Sequence, residues 1–127
     1  MKLKVMFIIT TVYAMLVGLP AIFAPEQLAA MVNLQVPPSL LMDIRFLGVA
    51  ELGLGIIAWL IRNAEASKTL SNAALGFAIY FSLHALTSLY GQLTDTTVSM
   101  HWVMATLQGL IAIGFFSAGK AKPVSAS

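Results

Sequence analysis

The chain has 127 residues, 59% hydrophobic and 9% charged, where soluble domains carry roughly 25% charged residues. Seven Lys and Arg against five Asp and Glu leave a net charge of +2, too small and too dispersed an excess for a nucleic-acid footprint. Cysteine is absent, which excludes a disulfide, a dithiol redox pair and any Cys-ligated metal or iron–sulfur site.

A mean hydropathy of +0.89 places the chain among membrane proteins. Four apolar runs, at about 5–24, 40–61, 70–90 and 98–118, each approach the roughly 20 residues needed to cross a bilayer as a helix. The expected fold is all-α, a single integral-membrane four-helix bundle spanning 1–127, with no soluble domain left over.

The first run follows Lys2 and Lys4. A secretory signal peptide has the same basic start, but its apolar part is usually about 7–15 residues long. The longer run here, with Pro25 directly after Ala24, is expected to be a retained anchor. Thr10, Thr11 and Tyr13 lie near its middle, and Gly18-Leu-Pro20 can kink its outer end. Pro25 to Asn33 reads as a short interfacial helix: Pro suits the first position, Asn a C-terminal stop, and Leu28, Met31 and Val32 share one side. Ser39 is the expected N-cap of the second span.

That second span holds the most informative stretch, Asp43-Ile-Arg-Phe-Leu-Gly-Val-Ala-Glu-Leu-Gly-Leu-Gly55. An ionisable group inside a span costs about 2.5–3.5 kcal/mol on insertion scales and usually faces a bundle interior or a cavity. At about 100° per residue, Gly48, Glu51 and Gly55 fall on one face, so Glu51 sits between two glycines where another helix can approach closely. Asp43 and Arg45, two apart, point to nearly opposite faces and do not pair with each other. They are either pocket residues or interfacial residues at a helix entrance, with Arg45 snorkelling outward.

The polar connector 62–68 leads to the third run, which contains Gly76, Tyr80 and His84. The fourth contains His101 and Gln108. Lys and Arg are confined to Lys2 and Lys4, to Arg62 and Lys68, and to Lys120 and Lys122 flanking the spans, apart from Arg45 within span two. The connectors 25–39 and 91–97 have none, which predicts both termini in the cytoplasm. With that topology Tyr13, Glu51, Tyr80 and Gln108 come out near mid-bilayer. His84 lies roughly 6 Å and His101 roughly 10 Å outward of their span centres.

On span three, Ala73, Gly76, Tyr80, His84, Thr87 and Gly91 form a small-and-polar stripe. His101, Ala105, Gln108 and Ala112 form another on span four. Turned inward with the Gly48–Glu51–Gly55 face, they predict a polar pocket in the outer half of the bundle. Its candidate binding residues are Glu51, Arg45, Asp43, Tyr13, Tyr80, His84, His101 and Gln108, with Gly48 and Gly55 as packing positions. The plainer reading makes Glu51 hydrogen-bonded glue between helices, His84 a satisfied core residue and His101 an interfacial one. No Glu-x-x-His or His-x-x-x-His spacing occurs, so no metal is expected.

Gly48-Val-Ala-Glu-Leu-Gly-Leu-Gly55, followed by Ile-Ile-Ala-Trp-Leu60, resembles the second-helix signature of the DoxX-like superfamily of small four-helix membrane proteins. Gly18-Leu-Pro-Ala-Ile-Phe-Ala-Pro25-Glu is similar to its uncharacterised branch. The resemblance implies an inner-membrane protein with Glu51 as the in-membrane acid and Gly48 and Gly55 beside it. Some relatives are small subunits of quinone-linked sulfur-oxidising complexes or of redox-defence assemblies. Without cysteine, any thiol step falls to a partner.

Three functions are expected to compete. The first is a non-enzymatic inner-membrane subunit or binder of a lipid or quinone-like molecule, whose partners are membrane lipid and other membrane or peripheral subunits, with homo-oligomers left open. The second is an integral-membrane acid/base enzyme, such as an isomerase, cyclase or epoxide hydrolase. It would act on an apolar substrate with Glu51, His84 and Tyr80 as its catalytic groups. The third is a purely structural subunit.

Overall fold

A computed structural model of the chain describes residues 2–119. They form five helices: α1 (Leu3–Phe23), α2 (Pro25–Met31), α3 (Pro38–Ile61), α4 (Lys68–Thr94) and α5 (Met100–Ala118). There is no strand among the described residues. Four of the helices, α1, α3, α4 and α5, are long and apolar enough to cross a membrane, consistent with a multi-pass membrane protein. Lys120 and Lys122, part of the charge pattern above, lie outside the described residues.

Local chemistry sets the helix ends. Pro25 occupies the first position of α2, where its missing N–H is not needed. Asn33 closes that helix with φ 56°, as Leu34 N–H donates to Ala29 O and Asn33 N–H to Ala30 O, a Schellman end. α3 begins at Pro38, so Ser39 lies inside the helix and is not its N-cap; the fixed φ of Pro38 starts the turn instead. Ser67 caps α4 by accepting from Leu70 N–H at 3.1 Å. In the α4–α5 connector, Asp95 accepts the Thr97 hydroxyl at 2.5 Å and its N–H at 3.0 Å. The bond from the Thr97 side chain holds the Asp95 carboxyl below the usual carboxylate range.

α1 packs along α3, α4 along α5, and α1 also meets α5. No comparable backbone seam joins α3 to α4. The helices therefore run in the order α3, α1, α5, α4, as a ring left open between its first and last members. Ser71 Oγ donates to Gly119 O at 2.7 Å, and a Cβ built on Gly119 would lie 3.9 Å from Leu3 Cδ1. The starts of α1 and α4 and the end of α5 thus share one end of the bundle, the end that carries Lys2, Lys4 and Lys68.

Two different cores hold the ring. The α1–α3 seam is made of small residues: a Cβ on Gly48 would lie 2.8 Å from Ala21 Cβ and from Gly18 O, and one on Gly55 2.5 Å from Ala14 Cβ. Thr11 Oγ1 lies 3.1 Å from Gly55 O across that seam. Lipid is as apolar as leucine, so close backbone approach, rather than water exclusion, is what holds such a pair together. The α1–α4–α5 side is aromatic: Phe7 lies edge-on to Phe77 at 5.6 Å, and Phe77 stacks on Phe115 at 5.3 Å.

These contacts set an expected stability difference. Gly55→Leu should wedge α1 from α3 and cost about 1–3 kcal/mol, read as a lowered unfolding midpoint by circular dichroism in detergent. Gly53→Leu should cost nothing measurable, because a Cβ there meets nothing within 4 Å.

Candidate functional site: a polar layer across four helices

The α1–α3 seam brings Glu51 into the bundle at mid-helix, 8% exposed between Gly48 and Gly55. Its carboxyl spans the gap that the backbones leave between α3 and α4. Tyr80 Oη donates to Glu51 Oε1 at 2.6 Å, within the short range of hydrogen bonds to a carboxylate. His84 Nδ1 lies 3.9 Å from the same oxygen, too far for a direct hydrogen bond but within electrostatic reach. Tyr80 and His84 are one helical turn apart, with ring centroids at 4.4 Å and a 40° tilt. The His84 side chain is 39% exposed.

A second cluster adjoins the first. The Tyr13 hydroxyl and the Gln108 amide, both buried, lie 2.8 Å apart. The amide orientation that satisfies both of its ends has Tyr13 donating to Gln108 Oε1, with the nitrogen donating toward His84 O, Met104 O and Ser88 Oγ, each at 3.2 Å. His84 therefore belongs to both clusters, by its ring to Glu51 and by its carbonyl to Gln108. Together Tyr13 (α1), Glu51 (α3), Tyr80, His84 and Ser88 (α4) and Gln108 (α5) make one polar layer that every long helix enters.

Five of the candidate binding residues are gathered there, and three are not. Asp43 is exposed. Arg45 turns to the end of α1, its Nε donating to Ile22 O at 3.3 Å and a second nitrogen lying 3.9 Å from Glu26. In effect it caps α1. The His101 ring lies over Gly91, 3.1 Å from where a Cβ would stand. Among the described residues no three His, Asp or Glu converge as metal ligands.

The span-three stripe needs correcting. The buried face of α4 is Ala74, Phe77, Ala78 and Phe81, while Gly76 and Thr87 are exposed and Tyr80 and His84 stand at its edge. On α5, Gln108 and Ala112 are buried, and His101 and Ala105 partly so. Ser88 was not singled out as a site residue, although its place one turn beyond His84 is a signal that could have found it. The Thr11 bridge to Gly55 carries no sequence signal.

A separate apolar groove of about 340 Å³ lies between α1 and α3, lined by Thr11, Met15, Leu19, Leu52, Ile56 and Trp59 among others. None of its lining residues is charged, and its walls suit a hydrocarbon chain. Comparison of the chain with protein-family models, curated proteins and solved structures finds no match.

Chemically, the layer offers a carboxyl, two phenols, an imidazole and an amide within a low-dielectric setting. Such a set can hold a polar head group or pass a proton. Two substitutions separate a bonded buried hydroxyl from an idle one. Tyr80→Phe removes the bond to Glu51 and should cost about 0.6–1.7 kcal/mol of stability in detergent. Thr10→Val should be neutral or stabilising, since Thr10 Oγ1 is buried without a hydrogen-bond partner among the described residues.

Proposed function

We propose that this chain is a non-enzymatic membrane protein that binds a lipid or quinone-like molecule by its polar head at the Glu51–Tyr80–His84 edge of the layer. The observation that carries the reading is the position of that trio. The carboxyl is buried mid-helix, yet Tyr80, which bonds it, and His84 beside it lie across the side of the ring that has no comparable backbone seam, and the His84 side chain is 39% exposed. The apolar helix faces on either side supply walls for a tail. Membership of the DoxX-like superfamily is part of the proposal, supported by Gly48-x-x-Glu51-x-x-x-Gly55 on the second of four long apolar helices. So are an inner-membrane location with both termini in the cytoplasm, supported by the lysines at one end of the bundle, and association with other membrane or peripheral subunits.

The acid/base-enzyme reading keeps one supporting observation: a carboxyl 2.6 Å from a phenol and 3.9 Å from an imidazole is also a proton-transfer set. Turnover of an apolar substrate that Glu51→Gln abolishes would favour it.

Native mass spectrometry of the full chain released from detergent should show a co-purified lipid or quinone in the parent, reduced at least about tenfold in Glu51→Gln, which disturbs the oxygen that Tyr80 and His84 are arranged around by about the worth of one hydrogen bond. Undiminished occupancy in that variant would take Glu51 out of the binding site. A cytoplasm-active reporter fused after Ser127 should be active in cells; an inactive one would overturn the orientation.

A further inference from the structure

The geometry points to a specific head group and a specific way in: we propose that the ligand is an apolar alcohol or phenol that enters sideways from the bilayer between α3 and α4 and donates its hydroxyl to His84 Nε2. This rests on the binding reading above and narrows its head group to one that carries an O–H.

The argument for the head group begins at Glu51 Oε1. That oxygen accepts the Tyr80 hydroxyl at 2.6 Å, so it presents lone pairs to whatever else faces it. His84 Nδ1 faces it at 3.9 Å. A lone pair on Nδ1 would repel the oxygen, whereas an N–H there is attracted to it, so the ring proton belongs on Nδ1. With one ring proton, placed there, the acceptor is Nε2, which has no hydrogen-bond partner among the described residues. Tyr80 has spent its only proton on Glu51, and Gln108 is occupied with Tyr13, Ser88 and two carbonyls. The group left to meet a ligand is therefore an acceptor, on a side chain that is 39% exposed. In a medium that supplies no water, an acceptor is matched by a donor, and the uncharged donor common among apolar molecules is a hydroxyl.

The argument for the route begins with the ring of helices. Small-residue or aromatic packing closes every side of it except α3–α4, where side chains alone make the bridge. Gly76 lies four residues before Tyr80 on the same face of α4, about 6 Å along the helix. A Cβ built there meets nothing within 4 Å. Beside the polar trio, α4 thus offers unfilled width on the open side, where a molecule dissolved in the bilayer arrives without crossing the packed core.

The test uses the full chain in lipid nanodiscs and two probes that differ only in the O–H: 4-decylphenol and its methyl ether, 4-decylanisole. Binding is followed by native mass spectrometry after titration. The phenol should bind about tenfold or more tighter than the ether, as one hydrogen bond to a desolvated acceptor provides. That ratio should fall to near one in His84→Phe, which keeps the ring beside Tyr80. Gly76→Leu should weaken the phenol at least about tenfold by filling the space beside Tyr80, while Gly53→Leu, equally open but two residues from Glu51 and so on a different face, should not. Should His84→Phe not fold, the probe ratio in the parent and the Gly76→Leu comparison still decide. Equal binding of the two probes overturns the hydroxyl assignment, and an unaffected Gly76→Leu overturns the lateral route. Failure of both probes while Glu51→Gln still loses a co-purified molecule overturns this inference alone. Failure of both probes with no Glu51-dependent passenger overturns the binding reading as well.

Discussion

A carboxyl in the middle of a bilayer helix has to be met by another polar group, because the surroundings supply no water to do it. Here that requirement falls on the 2.6 Å bond from Tyr80 to Glu51. It ties α3 to α4, which no backbone seam joins, and it positions the His84 ring beside the same oxygen. Through the His84 carbonyl the tie extends to Gln108, and from there to Tyr13 on α1. One bond thus sits where the open ring of helices is closed and where its polar layer reaches the outside of the bundle.

The rest of the structure divides the work by depth and by side. Near the lysine-bearing end, α1, α4 and α5 are locked by Phe7, Phe77, Phe81 and Phe115, a cluster of edge-on and stacked rings. Along α1–α3 the lock is close approach, with Gly18 against Gly48 and Ala14 against Gly55. Apart from Thr11 on Gly55 O, neither device uses a polar side chain, and both leave the Glu51 carboxyl free to reach α4. α3 is consequently held rigidly on one flank and by side chains on the other. That is the arrangement in which one flank can part without dismantling the aromatic core.

Much of this was legible in the amino-acid order, for reasons that can be named. Span count and approximate bounds follow from hydropathy, Pro25 and Asn33 mark α2 by their fixed or left-handed φ, and Glu51 stands out because a mid-span acid is costly. What failed was the facing of α4. Reading small and polar residues as inward placed Gly76 and Thr87 in the core, whereas Phe77 and Phe81 occupy it. In water that inference works because apolar residues hide. On helices apolar enough to cross a membrane both faces are apolar, so hydropathy does not choose the inner one; the large rings sit inside by packing against Phe7 and Phe115. Arg45 was ambiguous for a related cause. A cation near a helix entrance serves equally as a pocket group or as a cap, and only the position of the Ile22 carbonyl decides for the cap.

The magnitudes bear on why the layer exists at all. Bringing a carboxyl to the centre of a span costs about 2.5–3.5 kcal/mol, while one interhelical hydrogen bond in a membrane returns about 0.6 and at most about 1.7. Glu51 has one such bond and one imidazole beyond direct bonding distance. As a fastener it returns less than it costs, and the chain already possesses a better one: the glycine and alanine seam between α1 and α3, which needs no buried ionisable group. Helices α3 and α4 could be closed in the same way by small residues at positions 51 and 80. On the proposed reading, the carboxyl at that point, bonded on one side and facing a half-exposed imidazole on the other, serves what it can hold or polarise more than the helices it joins.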